Sequence, residues 1–128
     1  MEHILKEQKI KMTLQRQELI RRLEELETTH PSFNTIYQAI KKTHPNVSRS
    51  TVHENLKLLV KKGIIHSFHY KGEIRYEMDK QPHINVVESN GTIRDIKDDE
   101  IKSKLEEIEQ ILKEKEGIKI KNLLVLVE

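Results

Sequence analysis

The stretch SRSTVHENLKLLV, residues 48–60, has the periodicity of a helix with two unlike faces. Ser48 is a favourable N-cap, because its hydroxyl can accept from a first-turn backbone N–H that has no partner within the helix. Val52, Leu56, Leu59 and Val60 recur at three- and four-residue intervals, so they line one stripe that must face a core. Gly63 supplies a left-handed stop just beyond. The other face carries Arg49, Ser50, His53, Glu54 and Lys57. Arg49 and Lys57 suit phosphate or guanine, and the hydroxyls of Ser48, Ser50 and Thr51 at the helix N-terminus suit phosphate. Asn55 either reads adenine or only supports the fold. Glu54 repels phosphate unless it accepts from cytosine or pairs with a neighbouring cation.

Upstream, Leu19, Ile20, Leu23 and Leu26 repeat at helical spacing, which predicts a helix from Thr13, its cap, to about Glu27. The stretch from Thr28 to Ser32 breaks that helix. Phe33, Ile36, Tyr37 and Ile40 then form a second apolar stripe, ended by Thr43-His44-Pro45-Asn46. Downstream, residues 64–70 and 73–78 alternate on either side of Lys71-Gly72, the pattern of a β-hairpin. Three short helices followed at once by a hairpin is the order of a winged helix-turn-helix, in which the helix at 48–60 would lie in the major groove of DNA. A small helical αα-hairpin with a basic surface would share the periodicity; the hairpin and an excess of basic residues favour DNA.

Beyond Lys80-Gln81-Pro82 the pattern changes. Residues 84–88 and 92–97 read as strands joined by Ser89-Asn90-Gly91. Asp98 or Asp99 can cap a helix carrying Ile101, Leu105, Ile108, Ile111 and Leu112, Gly117 ends it, and Ile118 to Val127 reads as a last strand. The expected fold is therefore α+β: a winged-helix domain over residues 1–80, a hinge at 81–83, and a small α/β (ββαβ) dimerisation domain over 84–128. The run Leu123-Leu124-Val125-Leu126-Val127 is apolar on both faces and should be covered on both sides, and a second copy of the chain is the economical cover.

Composition narrows the function. Charged residues make up 34% and apolar residues 35% of 128 residues, and there is no tryptophan, so the core is lean and aliphatic. Lys and Arg outnumber Asp and Glu by 15 to 10 up to Pro82 and trail them by 8 to 11 from His83 onward. A basic half joined to an acidic half fits a nucleic-acid module carrying a second domain with another task. With no cysteine, disulfides and a structural zinc held by four cysteines are excluded. The charged opening is unlike a signal peptide and no apolar run approaches membrane length, so a cytoplasmic protein with no membrane partner is expected. There is no nucleophile–base constellation and no phosphate-binding glycine loop, which argues against an enzyme and against an organic cofactor.

These segments resemble one family in order and spacing. Thr13-Leu14-Gln15-Arg16 resembles the TPQR opening of ferric uptake regulator (Fur) family repressors. Residues 46–56 are similar to their recognition-helix motif N-(I/V)-S-x-(A/G)-T-V-Y-R-x-L. Gly63-Ile64-Ile65, Arg75-Tyr76-Glu77 and Gly117-Ile118-Lys119-Ile120 match further positions, so the resemblance covers nearly the whole chain. It implies a metal-responsive repressor that binds double-stranded DNA as a homodimer. Lys11 and Arg16 match basic positions that approach the minor groove and backbone. The departures are His53 and Glu54, where the family has tyrosine and arginine, and the missing CxxC pairs. The family's operator preference therefore does not carry over.

The resemblance also implies a regulatory metal between the two domains. Carried over one residue at a time, its ligands fall on His30, Glu77, His83, Asn85 and Asp95. Four keep a ligating side chain, and Asn85 stands where histidine is usual and offers a neutral amide oxygen. Two imidazoles and two carboxylates suit one divalent transition ion per subunit, Fe²⁺, Mn²⁺ or Zn²⁺, and suit Cu⁺ poorly. The bland alternatives are that His30 caps or packs near a helix start and that Glu77 pairs with Lys80 or Arg75. The family's second sensory cluster is absent, with Asn122 and Leu123 in its place. Asp95 matches the peroxide-sensing branch, in which bound Fe²⁺ lets peroxide oxidise the ligand histidines, here His30 and His83. Two other functions fit the same fold: a metal-independent winged-helix regulator, and a protein-interaction adaptor that uses the winged fold without DNA.

Overall fold

A computed structural model describes residues 11, 13–26, 29–78, 81–120 and 122–128. They fall into two compact units, those up to Asp79 and those from Lys80. Among the described residues no helix is long and apolar enough to cross a membrane.

The first unit contains helices α1 (Leu14–Leu26), α2 (Phe33–Thr43) and α3 (Arg49–Lys61), then strands β1 (His66–Tyr70) and β2 (Glu73–Glu77). Each helix begins where a short hydroxyl side chain satisfies the first turn. Thr13 Oγ1 accepts from the Arg16 N–H, Ser32 Oγ from Thr35 and Ser48 Oγ from Thr51. The predicted stripes meet in one core: Leu19, Ile20 and Leu23 of α1, Ile36, Tyr37 and Ile40 of α2, and Val52, Leu56 and Leu59 of α3. Glu27, the expected end of the first helix, lies outside the described residues.

The hairpin starts two residues later than its sequence pattern suggests. Ile64 and Ile65 are 3% and 1% exposed and their N–H groups turn back to the Leu59 carbonyl, so they extend the helical core instead of pairing. Between β1 and β2, Lys71 and Gly72 have φ of 49° and 78°. Two consecutive positive-φ residues match the right-handed strand twist, and glycine takes the second at no steric cost. Ser32 bridges to Arg75, and the Tyr76 N–H donates to the Pro31 carbonyl at 2.9 Å. The segment before α2 is thereby stitched to β2.

The second unit contains β3 (Ile84–Val87), β4 (Ile93–Ile96), α4 (Asp99–Glu116) and β5 (Val125–Val127), the expected ββαβ order. The sheet order is β4-β3-β5, antiparallel between β3 and β4 and parallel between β3 and β5. A parallel return needs a crossover, and α4 is that crossover. Asp98 caps it, accepting from the Glu100 and Ile101 N–H groups. Gly117 closes it in the left-handed region at φ 64°, with its own N–H and that of Ile118 both directed to the Leu112 carbonyl.

The last strand is shorter than expected. Residues 118–120 and 122–124 lie outside any strand, and only Val125–Val127 pairs, against a four-residue β3. An apolar run becomes a strand only where a neighbour offers a matching edge. Nor is the run covered on both sides within one chain: Leu124 and Val127 are 38% and 42% exposed, and Ile108, Ile111 and Ile118 are exposed as well.

Candidate functional site

In the first unit, His30 and Glu77 come together because the stitching of 31–32 to β2 sets the loop before α2 beside the end of that strand. His30 Nε2 lies 3.9 Å from Glu77 Oε2, with the side chains 0% and 3% exposed. The helix cap is Ser32, not His30. His30 has φ 51°, a backbone conformation that costs a non-glycine residue on the order of 1 kcal/mol and that clusters at functional sites. Its carbonyl accepts from Arg75 Nη1 at 3.1 Å, and its ring meets the Phe68 ring edge-on at 6.1 Å. Arg75 Nη2 pairs with Glu73.

In the second unit, His83, Asn85 and Asp95 share one face. His83 and Asn85 are two residues apart along β3 and its approach, and Asn85 is the cross-strand partner of Asp95. The His83 Nδ1–H donates to the Gln81 carbonyl at 2.7 Å; a carbonyl can only accept, so this bond fixes the proton on Nδ1 and places the lone pair of the neutral ring on Nε2. That Nε2 stands 3.4 Å from Asp95 Oδ1. Holding a histidine by its other nitrogen is the usual way of orienting a metal ligand. Asn85 is 1% exposed; its Nδ2 donates to the Val125 carbonyl at 3.4 Å and, among the described residues, its Oδ1 has no hydrogen-bond partner. A buried acceptor without a donor is costly, which fits an oxygen reserved for a ligand.

Both pairs fit metal ligation. Two donors at about 2.1 Å from one tetrahedral ion stand about 3.4 Å apart, the spacing of His83 and Asp95, and the His30–Glu77 pair is somewhat wider. Each pair offers one imidazole nitrogen and one carboxylate oxygen, donors of the kind that hold divalent transition ions.

The sequence model of the Ferric uptake regulator family matches residues 7–127. The chain belongs to the ferric uptake regulator family. A ferric uptake regulation protein homolog from Archaeoglobus fulgidus is 33% identical over 102 residues, covering 80% of this chain and 79% of that one. Among solved structures, a zinc-bound manganese uptake regulator is 28% identical with a TM-score of 0.71, covering 98% of this chain and 95% of its own. The Campylobacter jejuni peroxide stress regulator is 29% identical with a TM-score of 0.72, covering 98% and 91%.

In this member of the ferric uptake regulator family, α3 carries the face that the sequence reading assigns to DNA. Arg49, Ser50, His53, Glu54 and Lys57 are exposed on α3, as the periodicity predicts. Ser48 and Thr51 are occupied with each other, their hydroxyls 2.8 Å apart while Ser48 caps the helix. Asn55 is committed to the fold: its Nδ2 donates to the Thr51 carbonyl at 3.0 Å and its Oδ1 accepts from Arg16 Nε at 2.8 Å. Arg16 also donates from Nη1 to the Lys11 carbonyl at 2.6 Å, so Lys11, Arg16, Asn55 and Thr51 form one chain of hydrogen bonds from the segment before α1 to α3.

Two participants on this face escape sequence reasoning. Phe33 reads as a core position, yet it is half-buried and stacks on His53 with ring centroids 3.6 Å apart and planes 2° from parallel. Asn34 Oδ1 accepts from Arg49 Nη1 at 3.2 Å. Neither contact has a local sequence signal, because each joins residues 15 or more apart.

Proposed function

We propose that this chain is a metal-responsive transcriptional repressor that binds double-stranded DNA as a homodimer, through the basic face of α3. Its sensor is one divalent ion per subunit, Fe²⁺, Mn²⁺ or Zn²⁺, held by His30, Glu77, His83, Asp95 and the amide oxygen of Asn85. The observation that carries the sensor is His83, whose Nδ1 is tied to the Gln81 carbonyl while Nε2 faces Asp95. Family membership and the relatives' names, a manganese uptake regulator with bound zinc among them, support metal as the signal.

The bound ion supplies a Lewis-acid centre that gathers nitrogen and oxygen donors. The protein's part is orientation. Buried side chains hold their donor atoms in place, and His30 and Glu77 belong to the first unit while His83, Asn85 and Asp95 belong to the second. Simultaneous ligation by both selects one arrangement of the units about a hinge at 81–83, and that arrangement sets the spacing of two recognition helices on successive half-sites. The exposed Ile108, Ile111, Ile118, Leu124 and Val127 of the second unit support a dimer formed there. Basic residues on α3 bind phosphate and base edges, so the chain acts by binding and not by catalysis.

The test is metal analysis of the purified full chain, paired with binding to random-sequence DNA with and without chelator. About one divalent ion per subunit and chelator-sensitive binding, restored by adding Fe²⁺, Mn²⁺ or Zn²⁺, are expected. Chelator-resistant binding by metal-free protein would instead make this a metal-independent winged-helix regulator, a reading that Asn85 in a histidine position favours. No DNA binding even at low salt would leave the adaptor.

A further inference from the structure

We propose that Phe33 is a positioning residue of the DNA-reading face, which holds the His53 imidazole so that its edge meets a purine N7 in the major groove. The proposal rests on the DNA-binding reading above and adds a specificity determinant to it.

Phe33 is the first residue of α2, directly after the cap Ser32. Phe33 and Tyr37 are one turn apart on α2, and Arg49 and His53 are one turn apart on α3, so two i, i+4 pairs confront each other where the helices meet. The His53 ring lies flat on Phe33 at 3.6 Å. The Phe33 and Tyr37 planes are 7° from parallel. The Arg49 guanidinium sits over both, with Cζ 4.8 Å and 5.0 Å from the two ring centroids, and is tethered to Asn34. Cation–π attraction and the hydrogen bond together restrict a side chain that is otherwise among the most mobile.

Core packing does not require an aromatic ring at Phe33. The buried members of the α2 stripe are Ile36, Tyr37 and Ile40, and Phe33 is only half-buried. A leucine would satisfy the same apolar stripe without offering a flat face. An exposed imidazole on a helix ordinarily samples several rotamers, and freezing one in a complex weakens binding. Phe33 freezes it in advance. One face of His53 is occupied, and the ring edge with its nitrogens remains for hydrogen bonding. His53 lies in the N-terminal half of α3, the part of a recognition helix that meets base edges, and purine N7 is an acceptor there for an imidazole N–H.

The test uses the full chain and selection of bound sequences from random DNA, for wild type, Phe33→Leu, Phe33→Tyr and His53→Ala. Melting temperature and the His53 ring-proton NMR shifts are read in parallel. In wild type those shifts are expected upfield, from the ring current of Phe33. Phe33→Leu is expected to melt within a few degrees of wild type, to lose the upfield shift, and to lose roughly five- to tenfold of preference at one base pair. Phe33→Tyr should keep both, and His53→Ala should lose preference at that same base pair. A Phe33→Leu protein with the wild-type base profile overturns the proposal and leaves DNA binding standing. Loss of affinity for all sequences together with a collapse in melting temperature also overturns it, because Phe33 would then be merely structural. A wild type that binds no DNA overturns the functional reading itself, and this proposal with it.

Discussion

Glu18→Gln should destabilise the first unit at neutral pH and lose that effect in acid. Glu18 sits on the first half of α1 with its side chain only 9% exposed. Its Oε1 accepts from Thr43 Oγ1 at 2.6 Å, Arg22 Nε at 2.9 Å and Arg21 Nη2 at 3.2 Å. The Thr43 hydrogen bond, helped by the two arginines and opposed by burial, holds the carboxyl down from 4.5 to about 2. A folded pKa below the unfolded one adds stability that is complete above about 4.5 and disappears as pH falls towards about 2. Undiminished by solvent, a shift of that size is worth roughly 3 kcal/mol. Arg21 is 56% exposed, and solvent screens its share, so about 1–2 kcal/mol is the expected loss at pH 7. For a unit of this size that is a fall in melting temperature on the order of 5–15 °C. Thermal denaturation followed by circular dichroism at pH 7 and near pH 2.5 measures it, and the gap between variant and wild type should shrink by more than half in acid. A gap of equal size at both pH values would refute the electrostatic account, and no gap at pH 7 would refute the network. Thr43→Val offers an internal check: NMR titration should find the Glu18 carboxyl raised, because the largest of its stabilising partners is gone.

Other variants probe the site. His83→Ala should stay folded yet lose metal-stimulated DNA binding, and metal stimulation at wild-type strength, read by gel shift with and without added ion, would remove His83 from the sensor. Arg49→Ala should weaken DNA binding and flatten its salt dependence by about one counterion, as followed by fluorescence anisotropy across a salt series. Asn55→Ala cuts the hydrogen-bond chain from Arg16 to the Thr51 carbonyl and should cost about 1–3 kcal/mol of stability while leaving base preference alone. Binding-site selection that shows a lost adenine would instead return Asn55 to the reading face.

The order of elements, the caps and the inward stripes follow from sequence because each depends on neighbours within about four residues. Thr13, Ser48, Asp98 and Gly117 announce the helix ends locally, and the structure uses all four. The outward face of α3 follows in the same way, as the complement of Val52, Leu56 and Leu59. The candidate metal donors are another matter: their residue types are visible in the chain, but nothing local says that His30 meets Glu77 or that Asn85 stands opposite Asp95. Only the stitching of 31–32 to β2 and the register of β3 with β4 bring those pairs together.

The same limit explains why two strands are shorter than their sequence pattern. Ile64 and Ile65 begin a stretch that reads as a strand, yet the Leu59 carbonyl takes both N–H groups, and Leu123 and Leu124 are apolar but lie outside any strand. Strand length is a property of the partner as much as of the strand. Asn55, open on sequence between reading adenine and supporting the fold, is occupied at both ends of its amide by Arg16 and Thr51. Phe33, an ordinary core residue by period, becomes the bed for His53 because helix packing sets α2 against α3 at that turn. Short-range physics thus determined which helices form and which faces look outward. Long-range packing alone decided which polar and aromatic groups on those faces are spent on the fold and which are left to act.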